Sequence, residues 1–263
     1  RNEQRTGHIL TLEDPIEFVF KNKRSIVNQR QIGTDTVSLQ TALRNALRQA
    51  PDCILIGEIR DVETMGAAIA YAQSGHLVLA TMHANSASHA LNRIVSFYSP
   101  ENRRVLLSDL STTLRAVVSE RLLKSVDGGR VPAVEVLLNN NHMAELIEQG
   151  RISEIKEAMA NSMAAGSQTF EEALIELIQS GKVTREDALA NSDSPTNLLW
   201  LLENRTEQPA AAAQPIGMPG IELPAGLEPP APPDPRRPRP ANDPHKVPAT
   251  AEGASFSEFL LNI

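Results

Sequence analysis

The stretch 50–61 constrains the fold of this chain more than any other segment. Residues 53–56 form a short aliphatic run between a proline and Gly57, and Glu58 follows directly, with Arg60 two residues later. Such a run predicts a buried strand of a parallel sheet. Because α/β sheets bind ligands at the carboxyl ends of their strands, this order predicts a carboxylate in the binding crevice. The alternative is a solvated acid at an ordinary turn.

A cluster of acids follows another predicted strand, at residues 7–12. Glu13, Asp14 and Glu17 place three carboxylates within five residues, and a proline among them ends the strand. One carboxylate at a turn would be ordinary. The cluster lies at the sheet edge where Glu58 is expected, so it predicts a role in handling a metal ion or a water molecule.

Residues 76–83 are predicted to form a further buried strand with a histidine at each end. His83 would leave this strand at the edge that carries Glu13 and Glu58, which favours a polar role for it at the γ-phosphate of a nucleotide. His76 would lie at the opposite end and is the weaker candidate. A structural role, satisfied by local hydrogen bonds, is the alternative for both histidines.

Two arginines, Arg44 and Arg48, are candidates for stabilising phosphoryl charge, often across a subunit boundary. Arg44 and Arg48 lie four residues apart in a predicted helix at 39–50, for which Ser38 is the expected N-cap. Arg30 lies on a predicted strand at 26–32. The alternative for the helical pair is a solvated helix face.

The remaining pattern divides the chain into three parts. An α/β core is predicted at 1–140, a helical subdomain at 141–205 and a disordered proline-rich tail at 206–263. The tail ends in an apolar segment that either docks into a partner's groove or is incidental: Phe256, Phe259, Leu260 and Ile263. The other elements expected are helices at 62–74, 84–97 and 101–123, a strand at 131–138, and short helices at 143–149, 152–162, 169–179, 184–190 and 197–203.

Composition excludes several classes of protein. A net charge of -7 argues against a protein that coats nucleic acid. A single cysteine excludes a disulfide framework and a tetracysteine zinc site. No apolar run approaches the roughly 18 residues that a membrane-spanning helix requires.

Four blocks in order resemble motifs of the type II/IV secretion ATPases. Residues 11–17 (TLEDPIE) resemble their Asp box, 54–61 (ILIGEIRD) their Walker B motif, and 75–83 (GHLVLATMH) their His box. Residues 44–52 resemble the segment that leads into Walker B. The resemblance covers roughly residues 7–203. It is strongest to the PilT/PilU branch, the pilus retraction motors, with short strings that resemble PilU more than PilT.

The resemblance implies a RecA-like P-loop NTPase core in a homo-hexameric ring that binds ATP and Mg²⁺ between subunits. By position, Glu13 would be the general base, and Glu58 the Walker B acid that serves Mg²⁺ through water. His83, and less directly His76, would sense the γ-phosphate. The remaining candidates would lie at the nucleotide or a subunit interface: Arg30, Arg44, Arg48, Asp14, Glu17 and Arg60.

The resemblance also implies partners and a location. The motor would act in twitching motility beside a PilT-like motor and on an inner-membrane pilus platform protein. It would be cytoplasmic and peripheral at the pilus base, and would bind neither nucleic acid nor zinc.

One departure bears on activity, because no G-x-x-x-x-G-K-[ST] motif occurs in the 263 residues. We therefore expect a fragment that begins just after the phosphate loop and that hydrolyses ATP hardly at all by itself. A non-catalytic partner subunit of an active pilus motor is one alternative. A type II secretion or pilus extension ATPase is another, although these usually carry a tetracysteine zinc insertion. A RecA-like DNA motor is disfavoured by the net charge.

Overall fold

A computed structural model describes residues 1–162 and 164–206, so the predicted tail and its apolar end lie outside the described residues. The strands are β1 Gly7–Glu13, β2 Ser25–Gln31, β3 Cys53–Ile56, β4 Leu77–Ala80, β5 Ala116–Lys124 and β6 Arg130–Leu138. The helices are α1 Leu39–Ala46, α2 Val62–Gln73, α3 Ala87–Phe97, α4 Arg103–Thr113, α5 Asn141–Glu148, α6 Ile155–Ala160, α7 Phe170–Gln179, α8 Arg185–Asn191 and α9 Pro195–Thr206.

The main sheet is parallel, as the sequence predicted, with the strand order β2-β1-β3-β4. Leu10 and Leu12 of β1 lie beside Ile54 and Ile56 of β3, and all four side chains are buried. They belong to an apolar cluster that also takes residues from α1 to α6. Because the strands are parallel and in register, their carboxyl ends meet at one edge.

Side-chain caps fix where the helices around this sheet begin. The hydroxyl of Ser38 accepts the backbone N–H of Thr41 at the start of α1, as expected from the sequence. Asp61 accepts the N–H of Thr64 at 2.7 Å at the start of α2. Each cap satisfies a donor that the first helical turn leaves free. Asp61 therefore has a structural role directly after the predicted Walker B strand.

The helix predicted at 101–123 is wrong, because it merges a helix with a strand. The helix α4 ends at Thr113, and β5 then pairs antiparallel with β6. Apolar residues recur every four positions through this segment, a spacing that is typical of a helix. In β5 itself Ser119 is buried, whereas Val118 and Leu122 are exposed. Since polar side chains face inward, the strand lacks the usual alternation of buried apolar residues.

The strand expected at 76–83 is shorter than predicted, because β4 covers Leu77–Ala80 only. Its two histidines therefore lie outside the strand. Within the described residues, β4 is also an edge strand of the sheet, and its residues are half-buried or exposed rather than buried.

Residues 1–203 form one compact unit. A second apolar cluster joins Leu123 and Ala133 of the β5–β6 hairpin to α7, α8 and α9. The helices α5 and α6 instead contribute to the first cluster, so the two clusters do not divide at residue 140. The domain boundary expected at residue 140 stays a prediction. None of the helices in the described part of the chain has the length and apolarity needed to cross a bilayer.

Candidate functional site

Glu13 is the last residue of β1, and two side chains hold its carboxylate. The hydroxyl of Thr11 donates to Glu13 Oε1 at 2.6 Å, and the amide of Gln29 on β2 donates to the same oxygen at 2.9 Å. Thr11 lies two residues earlier on the same face of the strand, and β2 pairs in register with β1. Among the described residues no donor reaches Oε2, so this oxygen can accept a proton from a water molecule.

Gly57 brings the ends of β1 and β3 together. Its N–H donates to the carbonyl of Leu12 at 2.7 Å. A Cβ at this position would lie 3.0 Å from that carbonyl oxygen and 3.3 Å from the Cα of Glu13. Only glycine allows this close approach without a backbone shift. The glycine therefore sets Glu58, the next residue, beside the end of β1.

Glu58 contacts the two charged or polar groups that follow it at the sheet edge. Its Oε2 lies 3.2 Å from Nε2 of His83, and its Oε1 accepts a hydrogen bond from the guanidinium of Arg60. The hydrogen bond from Arg60 lowers the pKa of Glu58, with smaller contributions from the nearby His83 and Arg93. Glu58 is therefore an anion at neutral pH.

The loop after β4 carries His83 and is tied to its surroundings. The hydroxyl of Thr81 donates to the carbonyl of Gly57, and Ile59 N–H donates to the carbonyl of Thr81 at 3.0 Å. Arg93 of α3 donates to the carbonyl of His83 at 3.0 Å. The imidazole of His83 is 81% exposed, so it can contact a ligand. It opens onto a shallow depression lined by Met82, Asn85, His89, Asn92, Arg93 and Ser96.

Glu13, Glu58, Arg60 and His83 all lie at the carboxyl edge of the main sheet, where the sequence placed them. Asp14 and Glu17 are exposed in the loop that follows Glu13. The catalytic roles assigned to these side chains stay predictions.

The three arginines lie apart from this group. Arg30 pairs in register with Leu12, so its side chain extends from the face of the sheet opposite to that of Glu13. Arg44 on α1 lies 3.4 Å from Glu63 in an exposed ion pair. Arg48 is exposed in a 3₁₀ turn, Leu47–Gln49, that continues α1.

His76 lies at the opposite edge of the sheet. Its Nδ1 is 2.9 Å from the hydroxyl of Ser74 and 3.3 Å from the carbonyl of Tyr71, whose ring it meets edge-on. These contacts are local to the end of α2, and a role of His76 at the nucleotide stays a prediction.

Comparison with known proteins identifies the family. The family model for type II/IV secretion system proteins matches residues 2–128. Residues 2–128 belong to the type II/IV secretion system protein family. The match spans β1 to β5 and includes the whole carboxyl edge of the main sheet.

Relatives of this family support the PilT/PilU branch. The chain is 46% identical over 211 residues to the type IV pilus ATPase PilU of Pseudomonas aeruginosa, covering 80% of this chain and 55% of PilU. It is 39% identical over 196 residues to the type IV pilus retraction ATPase PilT of the same organism, covering 74% and 57%. The chain thus spans about half the length of the curated relatives it matches.

A solved structure confirms the fold. The crystal structure of the pilus retraction motor PilT with bound ADP superposes with a TM-score of 0.70 at 41% identity, covering 76% of this chain and 56% of PilT. The predicted α/β RecA-like core is confirmed by this match, and so is the resemblance to the secretion ATPases.

The donor set at the edge fits a magnesium ion held mainly by nucleotide and water. Among the described residues no three His, Cys, Asp or Glu side chains group as a metal cage. Mg²⁺ in nucleotide sites keeps several waters and takes one or two carboxylates besides the phosphates. Glu58 is an anion at the carboxyl edge of the sheet, and its two oxygens contact Arg60 and His83.

Several residues at this site were not predicted from the sequence. Gln29 holds Glu13 only because β2 lies in register beside β1, and register is not readable from the sequence. Thr81 and Arg93 hold the histidine loop through backbone carbonyls, which any sequence supplies. Thr11 could have been found, because it shares a strand face with Glu13.

Proposed function

We propose that this chain carries the hydrolytic edge of an ATP-hydrolysing motor subunit for type IV pilus retraction. The observation that carries this proposal is the contact of Glu58 with His83 at 3.2 Å, beside the oriented carboxylate of Glu13. Two carboxylates at the carboxyl edge of a parallel sheet are suited to orient a water molecule and to hold the water shell of Mg²⁺, and the exposed imidazole beside Glu58 can contact a phosphate. Family membership and the two pilus ATPases among the relatives support the same activity.

Within this proposal each side chain has one task. Glu13 accepts the proton of the attacking water through its free Oε2, while Thr11 and Gln29 keep the carboxylate in place. Glu58 holds water molecules of the Mg²⁺ shell, and His83 responds to the γ-phosphate through its contact with Glu58. When bound, Mg²⁺ offsets the negative charge that develops on the transferred phosphoryl group.

We further propose that the subunits form a homo-hexamer with nucleotide between neighbours. Arg44 and Arg48 are exposed on α1 and its 3₁₀ extension, so a neighbouring subunit's nucleotide can reach them. Motion of the ring would act on a platform protein in the inner membrane, in the cytoplasm and beside a PilT-like motor.

The test is Glu13→Gln in the full-length protein. Glutamine keeps the shape and the hydrogen bond from Thr11 but cannot take a proton, so we expect ATP turnover to fall by about 10²–10⁴-fold while ATP affinity is retained. Turnover is measured by phosphate release and affinity by equilibrium binding.

The matched control is Glu120→Gln, at an exposed position on β5 away from the edge. It should behave as wild type. Near-normal turnover of Glu13→Gln would remove Glu13 from the mechanism. A wild-type protein that assembles with an active pilus motor but never hydrolyses ATP would instead identify a non-catalytic partner subunit.

A further inference from the structure

Arg121 of β5 lies outside the candidate site and makes polar contacts with three other residues, Asn85, Asn191 and Asp193. Its side chain is 17% exposed and its guanidinium lies over the ring of Phe170, 4.0 Å from the centroid. Nη1 donates to the carbonyl of Asn191 at 3.0 Å, and Nη2 pairs with Asp193 Oδ1 at 2.7 Å. Nε and Nη2 both donate to the carbonyl of Asn85, at 3.2 and 3.1 Å.

The Asn85 carbonyl belongs to the loop that carries His83. This loop links β4 to α3 and has a second anchor two residues further on. The buried carboxylate of Glu135 accepts the N–H of Ala87 at 2.6 Å. Glu135 lies on β6, opposite Ser119 of β5. The hairpin therefore holds the loop and the start of α3 at two points, the carbonyl of Asn85 and the N–H of Ala87.

Asp193 connects the same network to the C-terminal helices. Its Oδ2 lies 3.0 Å from Nζ of Lys156 on α6, and that ammonium also pairs with the buried carboxylate of Glu171 on α7 at 2.8 Å. The turn between α8 and α9 carries Asp193. One guanidinium thus joins the histidine loop to helices from both apolar clusters.

We propose that Arg121 is a positioning residue for the reaction, because it holds the loop at Asn85 so that His83 stays beside Glu58. This inference rests on the proposed ATP hydrolysis. It adds a chain of contacts that connects the C-terminal helices to the carboxyl edge of the main sheet. A displacement of the α8–α9 turn would pull on Arg121 through Asp193 and Asn191, and the loop would follow.

The geometry requires arginine. A planar guanidinium donates from three nitrogens in a rigid fork, whereas the three N–H donors of an ammonium share one nitrogen at the end of a flexible stem. Lysine at residue 121 could keep the ion pair with Asp193 but could not also hold the carbonyls of Asn85 and Asn191. A loss of positioning and a loss of charge are therefore separable by substitution.

The experiment compares Arg121→Gln and Arg121→Lys in the full-length protein. Arg130→Gln is the matched control, since Arg130 is exposed on the same hairpin. We expect kcat for ATP hydrolysis to fall by about 10- to 100-fold in Arg121→Gln, with KM for ATP almost unchanged. Arg121→Lys should recover only part of kcat. Hydrogen exchange of the amides at 82–87 should accelerate in both variants and not in the control.

Two results would overturn the inference. One is a kcat in Arg121→Gln equal to that of Arg130→Gln, with unchanged exchange at 82–87. The other is exchange that rises equally throughout the main sheet, which indicates general destabilisation. Should Arg121→Gln fail to fold, Asp193→Asn replaces it and should show the same local acceleration in smaller measure. A wild-type protein without ATP turnover overturns the proposed function alone, because the exchange pattern still decides whether Arg121 holds the loop.

Discussion

Gly57 shows how one missing side chain sets the distance between two catalytic candidates. In Gly57→Ala the new methyl group would meet the backbone of Leu12 and Glu13, which cannot move as a flexible side chain can. We expect a loss of about 1–3 kcal/mol of unfolding free energy and a larger proportional loss of turnover, since Glu13 and Glu58 would be pushed apart. Thermal unfolding and phosphate release measure the two effects.

Gly66 provides the control within the same molecule. It lies inside α2, where nothing stands within 4 Å of an added Cβ. Gly66→Ala should raise stability by about 0.5–1 kcal/mol and leave turnover intact. Equal changes of stability and turnover in the two variants would show that the close approach at Gly57 does not affect function.

Glu135 is the residue from which we expect a pH-dependent contribution to stability. Burial raises the pKa of Glu135, and the hydrogen bond from Ala87 N–H opposes this only in part, as do the charges of Arg121 and Lys156. The folded protein thus binds this proton more tightly than the unfolded chain. The contribution is full below the ordinary glutamate pKa and is lost as pH rises through the raised value.

Two substitutions at this position separate charge from hydrogen bonding. Glu135→Gln can still accept the N–H of Ala87 and should flatten the pH dependence of unfolding as the pH rises above the ordinary glutamate pKa of about 4.3. Glu135→Ala leaves that N–H unpaired and should cost about 1–3 kcal/mol at every pH. Chemical denaturation of both variants across this range makes the measurement, and an unchanged slope in Glu135→Gln would contradict the assignment.

At the scale of the element, α7 depends on its first turn. Thr169 and Glu172 form a capping box, in which the threonine hydroxyl accepts the N–H of Glu172 and the glutamate accepts the N–H of Thr169. We expect Thr169→Ala to cost about 0.5–2 kcal/mol, measured by denaturant unfolding. Thr112→Ala, at an exposed position within α4, is the control and should cost less. Equal costs would mean that the cap contributes nothing.

The elements that the sequence predicted well are those in which the spacing of apolar residues indicates the buried face. The run before Gly57 forms β3, and the helices predicted from residues 39 and 169 begin at Leu39 and Phe170. The β5 strand could not be predicted, because Arg121 and Ser119 occupy its inward positions. Their burial makes sense only beside Asp193 and Glu135, which come later in the chain, so local periodicity carries no sign of it.

At the scale of the whole molecule, the parts of the site that could be predicted are those whose positions depend only on where the strands end. Parallel strands bring Glu13, Glu58 and the loop of His83 to one edge whatever their separation along the chain, so strand ends suffice to predict their grouping. The sequence did not indicate that Arg30 extends from the face opposite to that of Glu13, because its face of the sheet depends on the register of β2, and its role at a subunit interface stays a prediction. The hydrogen bonds from Arg121 of the hairpin to the carbonyl of Asn85 depend on tertiary packing, and no sequence motif predicts them.

The ion pair between Arg121 and Asp193 also limits how this chain can exchange segments with its relatives. A hybrid that takes residues 141–206 from another member of the family would keep Arg121 and receive a foreign residue opposite it. Unless that residue is an acid, a partly buried cation would lose its partner, and such losses are costly. We therefore expect recombination within this family to preserve or to replace the two residues together, so that they are inherited as one unit.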